Sequence, residues 1–158
     1  EKSFLKSLNS FIGLPHRYEI FLKKKNCIFI NDSKATSFEA TKFALKNTKD
    51  IYWIVGGLPK KNDKIILRNC KKNIIRSYII GKNTNFFKRQ IQNKINYKIS
   101  HNLKNAIVQV LKDIQLSKRK KNTILFSPAS ASFDQYLNFE KRGEEFKKLS
   151  KLYARKYI

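Results

Sequence analysis

Ile124-Leu125-Phe126-Ser127-Pro128-Ala129-Ser130-Ala131-Ser132-Phe133-Asp134-Gln135-Tyr136-Leu137-Asn138-Phe139-Glu140-Lys141-Arg142-Gly143 is the stretch whose reading decides the fold. The first three residues read as a strand buried on both faces. Small hydroxyl residues then turn the chain into a helix. Such a strand–turn–helix junction leaves free N–H groups and hydroxyls pointing one way, which suits an anion. A well-capped βα loop explains the same residues without a ligand. The balance shifts because other strand ends in the chain repeat the pattern.

Outward from that segment, strands alternate with helices. Residues 17–22 and 27–30 flank Lys23-Lys24-Lys25-Asn26 and read as a hairpin. Residues 51–55, 75–80 and 124–126 are short apolar runs of buried-strand type, and 97–99 is a further candidate. Leu103, Ala106, Ile107, Val110, Leu111 and Ile114 form one apolar stripe at helical spacing. Residues 36–46 open on Thr36-Ser37-Phe38-Glu39, a capping-box pattern with Thr36 as cap. Residues 64–72 and 86–92 read as shorter helices, and Phe146, Leu149 and Tyr153 share one face of a C-terminal helix. This alternation predicts an α/β fold, a mostly parallel sheet with helices on both faces and an N-terminal hairpin adding an antiparallel strand. Ligands of such sheets bind at the carboxyl ends of the strands.

The 158 residues, 41% of them hydrophobic, suit one domain with a proper core. No apolar run approaches the roughly 18–20 residues of a membrane-spanning helix, so no membrane partner is expected. Glu1-Lys2-Ser3-Phe4-Leu5 has no signal-peptide pattern and no initiator methionine, which suggests a fragment or a processed chain. Cys27 and Cys70 offer neither a metal-ligand spacing nor a disulfide framework, and the expectation is a reducing cytoplasm without a bound metal. The net charge of +24 points to an anionic partner. The excess is mostly lysine spread along the whole length, so a nucleic-acid-binding α/β module is only the alternative reading. His101 reads as a surface residue in a polar turn.

Two more strand ends match the first. Asn31-Asp32-Ser33-Lys34-Ala35-Thr36 offers Asp32 to vicinal hydroxyls, Lys34 to a phosphate and the Thr36 hydroxyl to a carboxylate. An Asx-turn and a helix cap would account for Asp32 and Thr36 structurally. Gly56-Gly57-Leu58-Pro59-Lys60 pairs glycines, which let a ligand approach the backbone, with a cation. Ahead of the first strand, Gly13-Leu14-Pro15-His16-Arg17 reads as an inter-domain hinge with an arginine suited to a nucleotide phosphate. Ser132 has no His–Asp partners in sequence, so a nucleophilic triad is poorly supported.

These four motifs, in this order, resemble the Mur ligase family, and within it the branch that adds D-glutamate. The resemblance covers nearly the whole chain. It implies a Rossmann-like C-terminal domain over residues 13–158, with 1–12 as the end of a central domain or a linker. It implies an ATP- and magnesium-dependent cytoplasmic ligase of peptidoglycan synthesis, acting as a monomer on D-glutamate and UDP-N-acetylmuramoyl-L-alanine. Carried over by motif, Thr36 and Lys60 would hold the α-carboxylate of D-glutamate, and Ser132 and the Phe139 backbone its side-chain carboxylate. Arg17 and Lys34 would face the ATP phosphates, Asp32 the ribose, and His16 the nucleotide side of the hinge. No catalytic residue is assigned. The family's P-loop, magnesium ligands, carbamylated lysine and UDP-binding domain have no counterpart here, so the fragment alone is expected to be inactive.

Overall fold

The computed structural model describes residues 13–158; the assignment of 1–12 to a preceding domain or linker lies outside them. Six strands form one sheet: β1 (Glu19–Lys24), β2 (Cys27–Asn31), β3 (Ile51–Gly56), β4 (Ile74–Ile80), β5 (Tyr97–His101) and β6 (Asn122–Phe126). Their spatial order is β1-β2-β6-β3-β4-β5. Within this sheet of the described residues only the β1–β2 hairpin is antiparallel; the other strand pairings are parallel. The α/β architecture expected from the alternation is therefore the observed one.

Among the described residues four α-helices cover the sheet: α1 (Phe38–Asn47), α2 (Thr84–Ile91), α3 (Leu103–Leu116) and α4 (Phe139–Tyr157). Every residue of β3 and β6 is buried, because both sheet faces are covered. Along β3, Tyr52 and Ile54 face a core shared with α3 and α4, while Ile51, Trp53 and Val55 face one shared with α1 and α2. The whole apolar stripe of α3 is buried. Phe146, Leu149 and Tyr153 of α4 join the same core.

Several boundaries differ from the sequence reading. The hairpin turn is Lys25-Asn26 rather than 23–26, because Lys23 and Lys24 pair with Ile28 and Cys27. β1 begins at Glu19 rather than Arg17, because Tyr18 adopts a left-handed φ of 46° and turns its N–H onto Asp32. Helix α1 starts after Ser37, whose hydroxyl accepts from Ala40 N–H at 3.3 Å; Thr36 is not the cap. Glu39 pairs instead with Lys42, and Asp63 from another loop accepts the Phe38 N–H at 3.0 Å. Residues 64–72 do not form the expected helix; only a single 3-10 turn, Lys71–Asn73, closes the segment. Ile65 and Leu67 are both buried at a spacing of two, and the Ile65 N–H and C=O bond Gln90 and Lys94 side chains instead of helix partners. Cys70, read as helical, is a buried turn residue. His101 is exposed as expected, but it ends a strand rather than sitting in a turn, and its φ is 64°.

Candidate functional site

The helix after β2 packs on one sheet face and the helix after β6 on the other, and β6 lies beside both β2 and β3. The loops leaving β2, β3 and β6 therefore diverge around a crevice at the carboxyl ends of the strands, the switch point where such sheets bind ligands. All three motif loops meet there.

Arg17, Asp32 and Lys34 line one cavity of about 490 Å³, with Tyr18, Ala35 and Phe43. Arg17 and Lys34 are exposed. Asp32 is only 6% exposed, and its oxygens are already engaged: Tyr18 N–H donates to Oδ1 at 3.0 Å and Ser127 Oγ to Oδ2 at 2.6 Å. Burial pushes its pKa above the ordinary value, against the pull of those two donors and of Arg17. The carboxylate thus fastens the entry of β1 to the ends of β2 and β6. His16 is not among the lining residues. Its ring is buried with Nδ1 2.9 Å from the Asn31 amide, and its carbonyl accepts the Lys34 N–H at 3.0 Å. Gly143 on α4 makes room for it, since a Cβ there would lie 2.2 Å from Nδ1.

The second group of candidates comes together through backbone ties. Leu58 and Ala131 form an antiparallel bridge with two 2.9 Å bonds, which brings the Lys60 loop alongside the Ser132 loop. Asp63, three residues past Lys60, caps α1 two residues beyond Thr36. Lys60 is exposed, Thr36 half-buried and Ser132 2% exposed. Phe139, the fourth candidate of this group, contacts the first group. Its carbonyl accepts from Ser33 Oγ at 2.7 Å, Lys34 Nζ lies 5.4 Å from its ring centroid, and the His16 ring meets it edge-on at 6.1 Å.

Other motif residues serve the frame. Ser127 donates to Asp32, and Ser130 Oγ donates to the Pro128 carbonyl at 3.1 Å. The paired glycines do not open the backbone to a ligand. A Cβ on Gly57 would lie 2.5 Å from Ala131 O and from Ser130 Oγ, so the space goes to the chain's own neighbouring loop.

Arg142, inside the Ser127–Gly143 motif but without an expected role, is central to the site's frame. It is 1% exposed. Nε donates to Ser33 Oγ at 3.1 Å, Nη2 to Ser33 O at 2.7 Å and Nη1 to Ser130 O at 3.0 Å. Burial pulls its pKa down to about 10, with Asp134 and Tyr136 opposing, so it stays charged at neutral pH. One guanidinium thereby clamps the β2 loop to the β6 loop. The signal was present in the sequence: Arg142 precedes Phe146, Leu149 and Tyr153 at helical spacing and so lies on the buried stripe.

The arrangement presents separated cations and hydroxyls, groups suited to anions. Among the described residues no three His, Cys, Asp or Glu side chains gather into a metal-binding group.

No protein-family model matches the chain. Curated relatives do. A UDP-N-acetylmuramoylalanine–D-glutamate ligase of Wolbachia sp. subsp. Brugia malayi (strain TRS) is 42% identical over 144 residues, 91% of this chain and 29% of the relative. Proteins of the same name from Rhizobium meliloti (strain 1021) and Mesorhizobium japonicum are 39% and 41% identical, over 92% and 89% of this chain. The chain spans about 30% of the length of the relatives it matches.

Proposed function

We infer that this chain, a D-glutamate-adding Mur ligase by descent, is the C-terminal domain of a longer enzyme and carries its amino-acid-binding face. The relatives' shared name and the one-third coverage support that reading. The observation that carries it is the junction at Phe139, where a residue of the D-glutamate set touches His16 and Lys34 of the nucleotide set. An amide ligation through an acyl phosphate needs that adjacency. ATP transfers its γ-phosphoryl group to the alanine carboxylate of UDP-N-acetylmuramoyl-L-alanine. The amine of D-glutamate attacks the acyl carbon, loses a proton, and the tetrahedral adduct expels phosphate.

In that scheme this chain binds and orients, and it neutralises charge. Lys60 and Thr36 hold the α-carboxylate, and Ser132 with the Phe139 backbone holds the side-chain carboxylate. Arg17 and Lys34 face the phosphates, and Asp32 the ribose. Magnesium, which lowers the charge on the phosphates when bound, takes its ligands from the rest of the enzyme. The enzyme is proposed to work as a monomer in the cytoplasm; among the described residues no helix is long and apolar enough to cross a membrane. The comparisons give the nucleic-acid alternative no support.

The test is steady-state kinetics of the full-length enzyme. A charge-assisted hydrogen bond contributes roughly 1.5–3 kcal/mol, so Lys60→Ala should raise KM for D-glutamate on the order of 10- to 150-fold. Ser132→Ala should act in the same direction but more weakly. Arg17→Ala should impair the ATP-dependent step more than glutamate binding. An unchanged KM in Lys60→Ala removes that residue from the site.

A further inference from the structure

Asp134 and Gln135 have no part in the function proposed above, yet both side chains leave their own loop to hold others. Asp134 Oδ2 accepts the backbone N–H of Lys82, in the loop after β4, at 2.9 Å. Gln135 Nε2 donates to the carbonyl of His101, the last residue of β5, at 3.0 Å. That carbonyl also accepts the N–H of Gly81 at 2.9 Å, so the three loops form one connected patch. The Asp134 contact is built in. Gly81 has a φ of 89°, and a Cβ there would lie 2.6 Å from Asp134 Oδ2 and 2.9 Å from the Gly57 backbone. Only glycine lets the carboxylate approach that closely.

Ser132 sits on the near side of the same turn, its carbonyl accepting the N–H groups of Gln135 and Tyr136 at 3.1 and 2.8 Å. The Leu58–Ala131 bridge fixes the turn towards β3. Asp134 and Gln135 fix it towards β4 and β5. A binding group on a loop binds more tightly when the loop is ordered before the ligand arrives, because less ordering entropy is lost on binding.

We propose that Asp134 and Gln135 are positioning residues that pre-set Ser132 for the side-chain carboxylate of D-glutamate. The proposal rests on the assignment of Ser132 to that carboxylate. It separates the hydrogen-bonding role of Asp134 from its charge: asparagine can still accept the Lys82 N–H, alanine cannot.

Two measurements test it. In the 158-residue chain, hydrogen exchange at the Lys82 amide should accelerate in Asp134→Ala and stay slow in Asp134→Asn. In the full-length enzyme, Asp134→Ala should raise KM for D-glutamate about 3- to 30-fold, with kcat and the ATP KM within about twofold. Asp134→Asn should stay within about threefold of the parent. Gln135→Ala removes an exposed side chain and keeps the test alive if Asp134→Ala does not fold; its KM should also rise severalfold. Unchanged Lys82 exchange in Asp134→Ala overturns the proposal. So does an asparagine variant as impaired as the alanine one, since the charge would then act directly. If Ser132→Ala raises KM while Asp134→Ala and Gln135→Ala do not, the positioning role falls and the D-glutamate site stands. If none of them changes KM, both fall.

Discussion

Asp32 combines a proposed ligand contact with a structural one, and its titration separates them. Its pKa is raised mainly by burial, so the folded carboxyl holds its proton to higher pH than the unfolded one. Stability therefore falls as pH rises from the unfolded value, about 3.9, through the folded one. At neutral pH the ionised form is a net cost. Asp32→Asn keeps an acceptor for the Tyr18 N–H and offers a donor towards Ser127, so it should be at least as stable as the parent at pH 7. That advantage should shrink by pH 4, as urea denaturation at the two pH values would reveal. A loss of several kcal/mol at pH 7 would contradict this account. The position of Asp32 and Lys34 beside one cavity was legible from sequence because both follow a strand end. The burial of Asp32 was not, because its partners Tyr18 and Ser127 stand 14 and 95 residues away.

At the scale of elements, one displaced cap changes the meaning of Thr36. With Ser37 capping α1, the Thr36 hydroxyl is released from the helix. Ser37→Ala should cost about 1 kcal/mol in chemical denaturation, in line with other N-caps. Thr36→Ala should cost little stability yet raise KM for D-glutamate in the full-length enzyme. A reversed pattern would restore Thr36 to a purely structural role. The capping-box reading failed because Asp63, from a loop after another strand, bonds the first N–H of the helix. The same physics explains the missing helix at 64–72, where side chains of Gln90 and Lys94 complete the backbone bonds. Buried strands and the α3 stripe were legible because burial on one face or two leaves a local periodic trace.

For the molecule as a whole, the sequence made the α/β class visible but not the strand order. Order is settled by which apolar faces match across long stretches of chain, and no local pattern encodes it. The positive charge likewise has no single face in the sequence, and the cations proposed for ligand contacts, Arg17, Lys34 and Lys60, stand on separate loops. Arg142, buried and fork-bonded, works as a fastener between two loops rather than as part of a basic surface.

The position of β6 has a consequence for how the protein is made. On a ribosome the β1–β2 hairpin and the β3–β4–β5 unit emerge first, and each ends in an open edge. The wedge that joins them, β6, pairs with both β2 and β3 and is the last strand to be translated. Until residue 122 is out, the nascent chain carries two unpaired parallel edges, the kind that invite intermolecular pairing. A chain stopped at residue 121 should therefore lack a cooperative urea transition and aggregate at concentrations where the complete one stays monodisperse by light scattering. The crevice at the strand ends inherits the same timing: it cannot exist in any folding intermediate that precedes the closing strand.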